Sequence, residues 1–148
     1  RGLAYSTGSI YAGRKNFGIF QAYAFTKADS TARVLTLLRE IIGSIRRDVI
    51  SPEELRGAKN ALNNNFIFTF KSADDVAVQQ MMLEYQELPP DFLETYRERI
   101  DAVKAEDVKR MAVKYLDPEK AIILVVGQEK KFDAPLSTFG SVNREEPF

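Results

Sequence analysis

The periodicity of this chain changes near Asp29-Ser30, and that change most constrains the fold. In Phe17-Gly-Ile-Phe-Gln-Ala-Tyr-Ala-Phe25, positions 17, 19, 23 and 25 are large and apolar while 18, 22 and 24 are small, the period of two that marks a strand. Residues 3–25 read as a hairpin, with Ala12-Gly-Arg-Lys-Asn16 supplying the Gly and Asn that a turn accepts. Tyr5 and Tyr11 are expected on one face of the first strand with Leu3, Thr7 and Ser9. Gly8, Gly18, Ala22 and Ala24 are expected to let a helix, another backbone or a peptide approach closely.

Beyond Ser30 the apolar residues recur at helical steps. Val34, Leu35, Leu38, Ile41, Ile42 and Ile45 form one stripe, with Arg33, Arg39, Glu40 and Arg46 opposite, which predicts an amphipathic helix covering a sheet. Ser51-Pro-Glu-Glu54 predicts a capped helix start, because Ser51 and Glu54 can close a capping box and Pro52 loses no bond there. Leu55, Ala58, Leu62 and Phe66 form its expected apolar stripe. Ser72-Ala-Asp-Asp75 repeats the cap for a helix carrying Val76, Met81, Leu83 and Tyr85, which Leu88-Pro-Pro90 stops. Asp91 is expected to open a helix with Phe92, Tyr96 and Ile100. The last helix, Glu106 to Leu116, should turn Val108, Met111, Ala112 and Tyr115 inward before Asp117-Pro118.

The run Ala121-Ile-Ile-Leu-Val-Val126, ended by Gly127, predicts a strand buried on both faces or central in the sheet. The order of elements implies an α+β fold: a mainly antiparallel sheet with several helices packed on one face. Residues 1–127 are the expected domain and 128–148 a tail lying on a surface. Because the chain starts inside a strand, without Met, it reads as a piece of a longer protein whose sheet begins upstream. An open sheet edge would then favour self-association of the fragment.

The 148 residues include neither His nor Cys. Zinc sites are built mainly from His nitrogen and Cys thiolate, so the metal ligands expected in this segment are none. Ser-His-Asp and Cys-His machinery is excluded for the same reason, and the redox compartment cannot be inferred from cysteine usage. Lys plus Arg number 21 and Asp plus Glu 21, which with only short basic pairs argues against a nucleic-acid partner. Glu53-Glu54 and Asp74-Asp75 are read as helix N-terminal charges, and Glu145-Glu146 as solvated tail residues. A chain of this length folded as one unit is expected to bury roughly 68–70% of its unfolded surface. No signal peptide is visible, and the compartment stays open, with the bacterial periplasm or envelope the setting entertained.

Arg-Gly-Leu-Ala-Tyr-Ser at 1–6, Gly18-Ile-Phe20, Ser51-Pro-Glu-Glu-Leu55 running into Ala58-Lys-Asn60, Leu88-Pro-Pro-Asp91, Ile100-Asp-Ala-Val103 with Glu106-Asp-Val108, and Lys114-Tyr-Leu-Asp-Pro118 ahead of Val125-Val-Gly127 come in a distinctive succession. Together they resemble the C-terminal domain of the pitrilysin or insulinase family of zinc peptidases. That family includes the mitochondrial processing peptidase and the non-catalytic core proteins of the cytochrome bc complex.

The resemblance implies the zinc-free half of a clamshell metallopeptidase. Zinc would sit in an N-terminal domain or partner subunit bearing an inverted His-x-x-Glu-His site, and this half would close over the peptide substrate. Tyr5 matches the family's tyrosine that polarises the scissile carbonyl, whereas Arg1 does not match its arginine, which stands three residues earlier. Ser6, Thr7, Gly8 and Ser9 are expected to bind substrate by pairing with it as an added strand. Lys104 stands where members often carry a capping threonine. The alternatives are a structural or assembly subunit of the same fold and an unrelated α+β binding module.

Overall fold

The computed structural model describes residues 2–145. Two antiparallel strands, β1 (Ala4–Gly13) and β2 (Gly18–Thr26), are followed by α1 (Thr31–Arg47), α2 (Pro52–Phe66), α3 (Ala73–Tyr85), α4 (Tyr96–Ala102) and α5 (Ala105–Tyr115). The fold is α+β, as the change of period implies.

Local signals place most boundaries. Ser51 accepts from the Glu54 N–H at 3.2 Å while its own N–H donates to Glu54 Oε2 at 2.9 Å, so the capping box is complete. The bond from the Ser51 N–H first, and then the Ser51 hydroxyl donating to the same oxygen at 2.8 Å, hold the Glu54 carboxyl below the usual range. Ser72 caps α3 in the same way, accepting from the Asp75 N–H at 3.1 Å. At α5 only half of such a box forms, because a lysine side chain has no acceptor. The Lys104 N–H donates to Asp107 Oδ2 at 3.1 Å, and Arg110 pairs with Oδ1 at 2.7 Å. The Arg110 bond, and then the Lys104 one, keep the Asp107 carboxyl low.

Three helical expectations are corrected. The helix expected from Asp91 starts at Tyr96, because the backbone between Pro89 and Thr95 mixes three- and four-residue closures. Phe92 N–H bonds Pro89, Thr95 N–H bonds Asp91, and Tyr96 N–H bonds Leu93. The inner side of α2 is Leu55, Lys59, Asn63 and Phe66, whereas Ala58 and Leu62 are exposed. Polar anchoring explains the rotation: Lys59 Nζ donates to the Asp101 carbonyl at 2.7 Å and Asn63 to its carboxylate at 2.8 Å. Phe66 stacks on Tyr96 with centroids 4.5 Å apart. In α3 and α5, Leu83, Val108 and Ala112 turn inward, but Val76, Met81, Tyr85, Met111 and Tyr115 remain exposed.

Helix α1 lies on β2 and is flanked by α5. Its N-terminus is capped from far along the chain: Asp133 accepts from the Ala32 N–H at 2.7 Å and the Arg33 N–H at 3.1 Å. Desolvation opposes ionisation of Asp133, yet the backbone bonds from Ala32, Arg33 and Asp133 itself, with the Arg33 charge, together outweigh it and lower its pKa. The segment after Gly127 thus lies on the surface of α1, with Arg39 over the Phe139 ring at 5.8 Å. Arg39 also bonds Glu119 at 2.9 Å, and Arg46 pairs with Asp117 at 3.6 Å, latching the loop after α5 to α1.

The largest correction concerns Ala121–Val126. Among the described residues it has no strand partner, and its backbone makes no hydrogen bond. Ile122, Leu124 and Val126 are 99%, 88% and 92% exposed, and only Ile123 and Val125 are half-buried. A strand needs a neighbour for its N–H and C=O groups, and hydrophobicity alone supplies none. The core is correspondingly small. Ala32, Val34, Leu83 and Ala112 are its buried apolar residues. The 16.8 kDa chain exposes 11846 Å². A compact monomer of that mass exposes about 7,600 Å², so roughly half of the unfolded surface is buried instead of the expected two thirds.

Candidate functional site

The residues expected to carry chemistry lie at the start of the hairpin. Ala4 pairs with Thr26 but Ser6 pairs with Phe25, so β1 has one residue more than β2 there and Tyr5 sits in a β-bulge. From Ser6 onward the register is regular to Gly13 opposite Gly18. Thr26 Oγ1 donates to the Leu3 carbonyl and pins the chain just before the bulge. Tyr5 is thereby held on a fixed backbone with its side chain 74% exposed.

The bulge revises the assignment of faces. Thr7, Ser9 and Tyr11 share a face with Ala22, Ala24 and Phe20, and before the bulge it is Ala4, opposite Thr26, that falls in step with them. Tyr5 is therefore not fixed to that face by alternation. Gly8 lies on the opposite face, across from Tyr23. A Cβ on Gly8 would come within 2.6 Å of the Tyr23 hydroxyl, and one on Gly18 within 2.8 Å of the Tyr11 hydroxyl. These two glycines make room for cross-strand tyrosine rings, and Ala22 and Ala24, half-buried, make room for α1.

Tyr5, Ser6, Thr7, Gly8 and Ser9 are contiguous along β1, whose outer edge has no strand beside it among the described residues. Apart from Gly8, which is half-buried, they are exposed. The site is an open edge with a phenol at one end. Neither of two grooves, of about 610 and 650 Å³, reaches it. At the far end of the hairpin, Lys15 of the turn pairs with Glu87, whose backbone is left-handed with φ 55° where α3 has ended.

The sequence lacks His and Cys, and among the described residues no three metal-ligating side chains come together. Glu54 and Asp75 serve helix starts, as expected of their pairs. Arg1 and Glu146 lie outside the described residues.

Comparison with known families bears on this edge. Residues 1–62 match the family described as the peptidase M16 inactive domain. The match includes the hairpin, Tyr5 and α1, and ends within α2. It supports a zinc-free domain of the M16 kind, while the later stretches from Leu88 to Gly127 lie beyond the matched residues. No curated protein matches the chain. The bulge and the Asp133 cap were not anticipated: a bulge has no marker in residue type here, and Asp133 is far from Ala32 in sequence.

Proposed function

We propose that this chain is the zinc-free, substrate-closing half of an M16-type metallopeptidase, with Tyr5 assisting at the scissile carbonyl. The carrying observation is the inactive-domain match over residues 1–62, within which Tyr5 stands on a bulge beside an unpaired strand edge. Zinc, on this reading, belongs to an N-terminal domain or a partner subunit and supplies Lewis-acid activation there. The chain's own contribution is positional.

An extended peptide pairs with the outer edge of β1 over Ser6–Ser9, using backbone groups that β2 leaves free. That pairing fixes the peptide's register relative to Tyr5. The phenol then donates a hydrogen bond to the peptide carbonyl, whose oxygen gains negative charge as it is attacked. A single pre-placed donor of this kind lowers the barrier by about 2.7–4 kcal/mol.

Peptide hydrolysis by the chain joined to its zinc-bearing half is the test. Tyr5→Phe should lower turnover at least tenfold, as expected of removing one oxyanion donor, with unchanged circular dichroism. An unchanged rate assigns Tyr5 a structural role. The 148 residues alone should neither retain zinc stoichiometrically nor cleave a fluorogenic peptide. An assembly subunit of the same fold is the second reading, favoured by the large exposed apolar surface. Its signature is a chain that binds its partner but leaves hydrolysis unaffected when removed.

A further inference from the structure

Tyr5 has no residue directly opposite it, because Ala4 faces Thr26 and Ser6 faces Phe25. A bulged residue loses the alternation that aims the other side chains of a strand, so the bonds that hold the backbone on either side of it decide where it points. After Tyr5 those bonds are plentiful, since the register runs regularly from Ser6 to Gly13. Before it there is one pair, Ala4 with Thr26, and there β1 begins. One further bond holds that end. The Thr26 hydroxyl donates to the Leu3 carbonyl, 23 residues away in sequence.

Thr26 is itself firmly based. It is the last residue of β2, half-buried, and Lys27 carries the chain straight into a short helical turn at Ala28–Ser30. There the Ser30 N–H donates to the Lys27 carbonyl at 3.1 Å and the Thr31 hydroxyl to the Ala28 carbonyl at 2.9 Å, which ties the end of β2 to the start of α1. The Thr26 side chain thereby links the entry of the bulge to the helical layer.

We propose that Thr26 is a positioning residue for Tyr5: by holding Leu3, its hydroxyl fixes the bulge and with it the place of the phenol. Without that bond the start of β1 frays, or it runs on in regular register and sets Tyr5 opposite Thr26, on the face of Thr7 and Ala24. Either change moves the phenol while Ser6–Ser9 keep their partners on β2. A displacement of about 1 Å is enough to cost a catalytic donor most of its effect. The inference rests on the reading of Tyr5 as the donor to the scissile carbonyl and gives that reading a second residue.

Two measurements test it together: steady-state hydrolysis of a fluorogenic peptide by the chain joined to its zinc-bearing half, and the fluorine NMR signal of a fluorotyrosine replacing Tyr5 in the chain. Thr26→Val keeps the shape and the strand preference but donates no hydrogen bond. It should lower kcat about fivefold and leave KM within about twofold, because the edge at Ser6–Ser9 is undisturbed. Thr26→Ser keeps the hydroxyl and should bring kcat back to within about twofold of the parent. With Tyr5→Phe already in place, Thr26→Val should change kcat by less than about twofold, since no phenol is left to misplace. The fluorine signal should shift or broaden in Thr26→Val and return in Thr26→Ser. An unchanged kcat in Thr26→Val, a loss of kcat that persists in the Tyr5→Phe background, a rise in KM alone, or an unmoved fluorine signal would overturn the proposal. If Tyr5→Phe leaves turnover unchanged, the proteolytic reading of Tyr5 is what fails, and the fluorine signal still decides whether Thr26 places the ring.

Discussion

The β1–β2 hairpin and the 121–126 segment make opposite use of their residues. The hairpin is diluted with Gly8, Ser9, Gly18 and Gln21, yet it pairs along its length. Ala121-Ile-Ile-Leu-Val-Val126 has far higher strand propensity, yet among the described residues it forms no ladder. The difference is the distance to a partner. A turn of a few residues brings β2 back onto β1, whereas no short turn brings a second strand onto 121–126. Propensity decides which residues suit a strand, and a neighbouring backbone decides whether one forms.

The largest expected effect comes from making one substitution on both sides of this divide. Val34 is buried on α1 and Val126 is almost fully exposed. Val34→Ala should cost about 2 kcal/mol of stability and Val126→Ala less than about 0.5 kcal/mol, read from urea melts followed at 222 nm. Equal effects would mean that 126 is covered in solution and the contrast fails.

The N-terminus of α1 extends the comparison, since it too relies on a remote group. Asp133→Ala should cost about 1 kcal/mol, as loss of a cap does, and release the tail from α1. Because hydrogen bonding depresses the Asp133 pKa, its contribution is complete above the unfolded-state pKa of about 3.9 and disappears as pH falls through the lower folded value. Glu54 and Asp107 act in the same direction. With no histidine, stability should be flat from about pH 5.5 to 7 and fall only in acid. A midpoint near neutrality in a pH titration of the melts would contradict this.

The smallest effect sharpens the contrast between complete and incomplete local capping. α2 has its full capping box and α5 has half of one. Lys104→Thr supplies the missing acceptor and should raise stability by about 0.5 kcal/mol. No gain would show that the bond from the Lys104 N–H to Asp107 already satisfies that helix start.

Much of the helical layout was legible because its causes are local. Ser51 reaches Glu54, Ser72 reaches Asp75, and Pro89-Pro90 blocks continuation, all within one turn of chain. The inner face of α2 was less legible, since Lys59 and Asn63 turn inward to meet Asp101 and take the place assigned to Ala58 and Leu62. At the candidate site, Tyr5 was singled out by resemblance and Ser6 to Ser9 as the strand edge after it, and all five lie within the matched residues, which by themselves assign none of them a role. The bulge that sets Tyr5 apart was invisible, because one extra residue in a register is a relation between two strands.

By itself, then, the sequence determined the α+β class, the hairpin, the helix starts and the lack of His and Cys, all consequences of side-chain identity and short-range hydrogen bonding. Tertiary structure alone decided the bulge at Tyr5, the capping of α1 by Asp133 and the lack of a strand partner for 121–126 among the described residues. Each of these depends on which distant backbone group lies within hydrogen-bonding reach, and no local pattern encodes that distance.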